Sequence, residues 1–253
     1  MTIVSCVLWM NRLAGVAALV NACELLVLSR VQSRSLTDKG VWRASTLSRE
    51  WGLLRYLLGP RAFGTMMFTQ AICAVLLAVS GGALYAGVLL ATTLLSAVRF
   101  RGTVNGGSDA MLFNVLGGLM VAQMGAAAES VREGAVLYVA AQLTLSYLRA
   151  GIVKVRQPSW WTGDALRAFL ALPAYGVPMW VPRESAALRA VGIAVMAFEC
   201  LAAVAWVNPI AAAGFIAVAI AFHAGTALLF GLNRFFLAWT AAIPALWYAA
   251  HQV

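Results

Sequence analysis

Long apolar runs recur along the whole chain of 253 residues, and they limit its fold more than any other feature. The chain is 62% hydrophobic and only 11% charged. A helix of about 18 or more apolar residues crosses the hydrocarbon core of a bilayer, which is about 30 Å thick. Because lipid offers the backbone no hydrogen bonds, only helices and closed barrels cross it. No segment alternates as a barrel strand does, so we predict an all-α, polytopic membrane helical bundle.

The apolar runs divide the chain into about eight transmembrane helices within a single transmembrane domain, 1–253. The predicted segments are 4–28, 62–80, 82–100, 109–127, 134–154, 186–206, 209–231 and 233–250. The breaks at Gly81-Gly82, Asn208-Pro209 and Asn233-Arg234 are tight, which leaves a count of seven open. We expect 30–61 and 155–186 to be cytoplasmic loops that carry short interfacial helices.

The charge pattern supports eight crossings. The formal net charge is +9, and 16 of the 18 basic residues fall in 30–61, 99–101, 149–189 and at Arg234, all on one side of the eight-helix arrangement. Basic residues collect in cytoplasmic loops, so both termini should face away from the cytoplasm, and nucleic acid is not an expected partner. The arginine-rich composition is compatible with a GC-rich genome, and we expect a bacterial inner membrane.

The four cysteines point to no metal or disulfide chemistry. Cys6, Cys23, Cys73 and Cys200 all lie inside apolar segments, and none belongs to a CxxC motif. Small buried apolar residues are the ordinary interpretation of such cysteines. We therefore expect no disulfide framework and no metal site, and the chain has no nucleotide-binding loop motif.

Two charged residues lie deep inside predicted helices. Arg12 and Glu199 are each about eight residues from the outer ends of their segments, or about 12 Å deep at 1.5 Å per residue. Isolated charges are costly in a bilayer and usually pair. The equal depths predict a structural ion pair between Arg12 and Glu199.

A richer polar group lies toward the cytoplasmic ends of the helices. The segment boundaries place Asn105, Asp109, Lys154, His223 and Asn233 at this end. A lysine among apolar walls loses its proton more easily and can act as a base. A lysine near a helix end can also extend its amine to the interface as an anchor. The residues themselves leave both roles open for Lys154.

A tryptophan pair follows this lysine closely. Trp160 and Trp161 come directly after Pro158 and Ser159, six and seven residues beyond Lys154. Tryptophan is enriched at the headgroup level of membranes, so an aromatic belt explains the pair. The alternative is an aromatic roof that shields the lysine from water.

Three stretches resemble one enzyme family. They are AGIVKVRQPSWWTGDAL at 150–166, FHAGTALLFGLNRFFLAW at 222–239 and RGTVNGGSDAMLFNVLGG at 101–118. The chain resembles the vitamin K-dependent gamma-carboxylase family, and its closest fit is the bacterial branch called the HTTM (horizontally transferred transmembrane) domain. The resemblance covers roughly residues 1–250, without the large extramembrane domain of the carboxylase.

The resemblance implies an oxygen-dependent chemistry. The family enzyme epoxidises a reduced naphthoquinone, and the energy released generates a base that deprotonates glutamate for carboxylation. The family's active-site lysine falls on Lys154, and its Phe-His position falls on His223. This chain departs from the family after Asn105, where Gly106 replaces a histidine, and Asp109 is the nearby group that offers acid-base chemistry.

We therefore predict a membrane enzyme that oxidises a reduced quinone or acts on another isoprenoid lipid, with Lys154 as base. The predicted catalytic residues are Lys154, Asp109 and His223. Asp109 would orient the hydroxyl group together with Asn105, and His223 would relay protons. The predicted quinone-binding residues are Asn105, Trp160, Trp161 and Asn233. Bacterial members resemble components of peptide maturation, so a peptide or membrane-protein partner is expected as well.

A non-catalytic role remains the alternative. The chain has 22 glycines, and small residues allow close packing of membrane helices whatever the function. The chain would then be a helical subunit or assembly partner of a larger membrane complex, because a fold does not imply a function. We find no inverted repeat of the kind that many transporters contain.

Overall fold

The structure is a computed structural model, and it describes residues 1–35, 58–99, 107–125, 128–179 and 183–252, with residues 52, 56 and 181. This part of the chain contains helices and no strands. The predicted quinone-binding residue Asn105 lies outside the described residues, as does most of the predicted loop 30–61.

Ten α-helices and two 3-10 helices make up the described part of the chain. The α-helices are α1 (Ile3–Ser35), α2 (Pro60–Ser80), α3 (Ala83–Arg99), α4 (Gly107–Ala122), α5 (Glu129–Val155), α6 (Pro158–Thr162), α7 (Asp164–Ala171), α8 (Ser185–Cys200), α9 (Pro209–Phe230) and α10 (Asn233–Ala249). The 3-10 helices are Pro173–Tyr175 and Ala202–Trp206.

Each of the eight predicted segments contains a helix, but four of the boundaries differ by five residues or more. Helix α4 ends at Ala122 instead of residue 127, and α5 begins at Glu129 instead of residue 134. The first helix runs on to Ser35, because no glycine or proline interrupts the chain between residue 28 and that point. The sixth segment is α-helical only to Cys200, after which the backbone tightens into a 3-10 helix.

Four of the helical segments are long and apolar enough to cross a membrane: Ile3–Val27, Arg61–Ser80, Glu129–Val155 and Pro209–Phe230. Helices α3 and α4 are apolar but shorter. These lengths are compatible with an integral membrane protein. The count of eight crossings stays a prediction.

Helix α10 lies at the centre of the bundle, where it packs against α1, α4, α5 and α9. Helix α5 buries a stripe that includes Val136, Val139, Leu143 and Tyr147, at the three- and four-residue spacing of a single helix face. Gly118 brings α4 close to this stripe, because a Cβ there would lie 2.5 Å from a methyl carbon of Val139. Small residues at crossings therefore set the spacing of the core.

An amide network joins three elements on the side of the bundle where α4 ends. The side chains of Asn11 and Gln123 donate to each other at 2.9 and 3.0 Å. The same Gln123 oxygen accepts from the Gly82 amide at 2.7 Å. Gly81 has a φ of +67°, and this left-handed conformation makes the turn between α2 and α3. These hydrogen bonds hold the turn at Gly81-Gly82, which the sequence predicted, next to α1 and the end of α4.

Helix α8 runs antiparallel to the chain from α5 to α7, and this packing positions the candidate site. The Trp206 indole donates to the Thr144 hydroxyl at 2.8 Å. Farther along α5, a Cβ on Gly151 would lie 2.7 Å from the Cys200 sulfur. A Cβ on Gly192 of α8 would lie 2.6 Å from the carbonyl oxygen of Trp160. Glycines thus bring α5 and α6 into backbone contact with α8.

Candidate functional site

Lys154 forms a partly buried ion pair with Glu199. Lys154 lies in the last turn of α5, and Glu199 lies near the end of α8. The lysine Nζ donates to both carboxylate oxygens at 2.7 Å. The lysine side chain is 18% exposed and the glutamate side chain 4% exposed. The close approach of α5 and α8 at Gly151 holds the two groups together.

The predicted ion pair between Arg12 and Glu199 is wrong. Both oxygens of Glu199 are bound by Lys154, whereas Arg12 is exposed on α1 with its guanidinium 5.1 Å from the ring centroid of Trp9. The prediction counted depth from an expected helix end at residue 206. In the structure α8 lies antiparallel along both α5 and α6, with Cys200 against Gly151 and Gly192 against Trp160, so Glu199 lies level with Lys154.

The two tryptophans after α5 have different positions. The Trp160 ring lies over the lysine, with Nζ 5.1 Å from its centroid, which is within the range of a cation–π contact. Trp161 is 45% exposed, and its indole donates to the Val155 carbonyl at 2.8 Å. The aromatic roof over Lys154 is therefore formed by Trp160, and Trp161 lies outside the pocket described next.

An apolar pocket of about 500 Å³ opens beside the ion pair. It lies between α8 and the second half of α9, and α7 and the first 3-10 helix complete its wall. Lys154 and Trp160 line it together with apolar side chains such as Val195, Phe222 and Phe230. Ligand pockets typically have about 300–1,000 Å³ of mostly apolar lining and a few placed polar groups. The structure therefore supplies a ligand-sized apolar pocket with an amine in its wall.

Tyr147 and His223 form a second buried polar pair. The tyrosine hydroxyl and the histidine Nε2 lie 2.7 Å apart in a hydrogen bond whose direction depends on the ring tautomer. Both side chains are buried, and Phe222, Phe235 and Trp239 surround the imidazole. His223 Nδ1 has no hydrogen-bond partner among the described residues. The pair lies behind Phe222, which lines the pocket.

Asp109 belongs to a separate charged group. Its carboxylate accepts a hydrogen bond from Arg234 at the start of α10, and both side chains are buried. Glu24 of α1 lies 3.9 Å from the same guanidinium. The structure therefore brings Asp109 to Arg234 rather than to Lys154. Asn233 is exposed at the start of α10 and does not line the pocket.

The sequence did not lead us to predict the roles of three residues in these groups. Glu199 was assigned to another partner, Arg234 was counted as a loop charge, and Tyr147 was not predicted as a site residue. Tyr147 precedes Lys154 by seven residues, so both lie on one face of α5. That spacing was a usable signal for Tyr147, whereas helix packing determines the pairing of Glu199 and cannot be read from spacing.

No three His, Cys, Asp or Glu side chains gather in a metal-binding group within the described part of the chain. The four cysteines are unpaired. Lys154, Tyr175 and Thr226 are polar residues of the pocket lining, and Glu199 contacts the lysine amine without lining the pocket. Such groups suit proton transfer and the binding of an apolar molecule with a polar head.

Comparison with protein-family models, with curated proteins and with solved structures found no match to this chain.

Proposed function

We propose that this chain is an integral membrane enzyme that binds a reduced quinone, of naphthoquinone type, and removes a proton from its hydroxyl group with Lys154. The reaction class is an oxygen-dependent quinol oxidation like that of the gamma-carboxylase family. The resemblance of residues 150–166 and 222–239 to that family supports the proposal, and so does the pocket.

The observation that carries the proposal is that Lys154 lines an apolar pocket of about 500 Å³. A lysine that served only as an anchor would extend its amine into water. This amine is instead held between a carboxylate at 2.7 Å and an indole ring at 5.1 Å. These contacts fix the position of the amine, but a carboxylate and an indole ring both stabilise an ammonium, so a base at this position requires a group that accepts its proton.

The pocket residues fit a bicyclic aromatic ligand with an apolar tail. Aromatic side chains at Trp160, Phe222 and Phe230 can pack against rings, and Val195 and the other apolar residues can pack against a prenyl chain. A bound reduced quinone would supply an acidic hydroxyl proton and two electrons for oxygen. Within the chain, Trp160 limits the access of water to the amine, and Lys154 receives the proton.

The remaining predicted residues take other roles in this proposal. Asp109 stabilises the bundle through Arg234, because its carboxylate is already used there. His223 and Tyr147 support the pocket wall from behind Phe222. A proton relay through His223 would require a connection to Lys154, and the hydrogen bonds of the described residues link His223 to Tyr147.

The alternative is a non-catalytic subunit of a larger membrane complex, and the surface of α9 favours it. Helix α9 is strongly apolar and buries little of its surface in the described part of this chain. Ile210 and Leu228 are 86% and 85% exposed. Such a face suits either lipid or another membrane helix, so the two functions must be separated by experiment.

A pair of glycine variants on α9 tests ligand binding. Gly225 lines the pocket and Gly214 does not, and a Cβ at either position would meet no atom within 4 Å. The first carbon of a leucine side chain therefore has room at both positions, and only residue 225 belongs to the pocket lining. We expect Gly225→Leu to weaken the binding of oxidised naphthoquinone by at least about tenfold, or 1.4 kcal/mol. Gly214→Leu should bind like the wild type.

Equilibrium dialysis of the protein in lipid nanodiscs measures this binding, with nanodiscs that lack the protein as the partition control. Saturable binding that is lost in Gly225→Leu alone supports a quinone site in this pocket. If no binding is found, or if both variants bind equally and no more than the empty nanodiscs, the proposal is contradicted. The subunit role is then favoured.

A further inference from the structure

Glu199 lies behind Lys154 as seen from the pocket. Lys154 lines the pocket, whereas Glu199 contacts the lysine from between α5 and α8 and does not line it. The glutamate side chain is 4% exposed, compared with 18% for the lysine. A ligand in the pocket therefore meets Lys154 before Glu199, and the carboxylate is in direct contact with the lysine amine.

Whether Lys154 and Glu199 are both charged or both neutral depends on what covers the side of the lysine that faces the pocket. The lysine side chain is 18% exposed, which leaves it open to water unless a ligand covers it, and an aromatic ring such as that of Trp160, 5.1 Å from Nζ, stabilises the charge of an ammonium. An apolar ligand would displace that water, and a desolvated ion pair carries a large penalty. Transfer of one proton from nitrogen to oxygen removes both charges while the hydrogen bond between the two groups remains.

We propose that Glu199 is the internal proton acceptor of this pocket. When an apolar ligand covers Lys154, an N–H bond of the ammonium breaks and an O–H bond forms on Glu199, which leaves a neutral amine facing the ligand. The net charge of the pair stays zero. This inference rests on the proposed function, because a neutral amine is what Lys154 needs in order to act as a base.

The next proton then comes from the ligand. The Lys154 lone pair takes the proton of a bound hydroxyl group, so that an ammonium faces an oxyanion while Glu199 keeps the first proton. The backbone contact of Gly151 with Cys200, next to Glu199, keeps the carboxyl group within reach throughout. Glu199 thus acts through Lys154 and is a positioning and proton-accepting residue.

Infrared difference spectroscopy tests this transfer without any turnover. The probe is oxidised methylnaphthoquinone, which is small enough for a pocket of about 500 Å³ and has no hydroxyl proton to give. Its binding should produce the carbonyl stretch of a protonated carboxylic acid in the wild type and in Glu24→Gln, a matched variant outside the pocket. Glu199→Gln should lose that band. Lys154→Gln should show the band before the probe is added, which assigns its position.

The outcomes separate the two proposals. Dialysis of the same samples reports whether the probe binds. Saturable binding without a new carboxylic acid band overturns the inference and leaves the proposed function standing. No binding overturns the proposed function and the inference together. If Glu199→Gln does not fold, Glu199→Asp replaces it, because this variant keeps a carboxyl group. The carboxylic acid band must then shift. An unshifted band would assign the proton to another residue and overturn the inference.

Discussion

Gly151 is the position where a single methyl group should disturb the fold and the site together. A Cβ there would lie 2.7 Å from the Cys200 sulfur and 2.9 Å from the Cys200 backbone nitrogen. Favourable heavy-atom contacts need about 3.5–4.0 Å, so α5 and α8 would have to separate by roughly half an ångström or more. The backbone nitrogen cannot rotate away as a side chain can. Gly151→Ala therefore moves Glu199, the neighbour of Cys200, relative to Lys154.

The expected cost follows from two opposing effects. Overpacking of a tight contact costs about 1–3 kcal/mol. Alanine is better than glycine inside a helix by about 1 kcal/mol, which offsets part of that cost. Gly134→Ala, on the same helix, brings the helix gain alone, because a Cβ there meets no atom within 4 Å. The free energy of unfolding of Gly151→Ala should therefore be about 1–3 kcal/mol below that of Gly134→Ala.

Unfolding in mixed detergent micelles, followed by circular dichroism, measures this difference. Naphthoquinone-dependent turnover of the folded fraction should also fall in Gly151→Ala and not in Gly134→Ala. If the two variants were equally stable and equally active, α5 and α8 would not approach each other as the structure describes, and the geometry of the ion pair would lose its basis.

Two further substitutions test the other polar groups through the free energy of unfolding. Asp109→Asn leaves the buried Arg234 guanidinium with Glu24 as its charged partner, 3.9 Å away, and we expect a loss of up to about 3–5 kcal/mol. Asp164→Asn, at an exposed ion pair of α7, should cost at most about 1 kcal/mol, and equal costs would contradict the burial of the first pair. Tyr147→Phe removes the hydrogen bond to His223 and should lower the free energy of unfolding by about 1–3 kcal/mol. The buried histidine would then have no hydrogen-bond partner on either nitrogen among the described residues. A variant as stable as the wild type would show that this hydrogen bond contributes little.

The helical segments could be predicted because the signals for them are local. Apolar runs and the Gly81-Gly82 break are visible in the sequence, and the structure has a helix in every predicted segment with that break between α2 and α3. The pairing of helices is not local. The end of α8 at Cys200, and with it the partner of Glu199, depends on how α8 packs along α5, which no residue spacing encodes.

The candidate site was predictable to the extent that its residues are neighbours in the chain. Lys154 and Trp160 are six residues apart, and the structure brings them together. Asp109 and His223 were grouped with Lys154 because all three were expected near the same end of the bundle. Equal depth does not make residues adjacent around a bundle, and the structure gives Asp109 and His223 other partners.

The central claim is that Lys154 acts as a base on a reduced quinone, and product analysis tests it most directly. Wild-type protein and Lys154→Ala are each incubated with reduced naphthoquinone under oxygen, and the extracted lipids are analysed by mass spectrometry. The proposal predicts epoxide or another oxidised quinone above background from the wild type alone. Equal, background-level product from both proteins would contradict it and leave a structural membrane subunit.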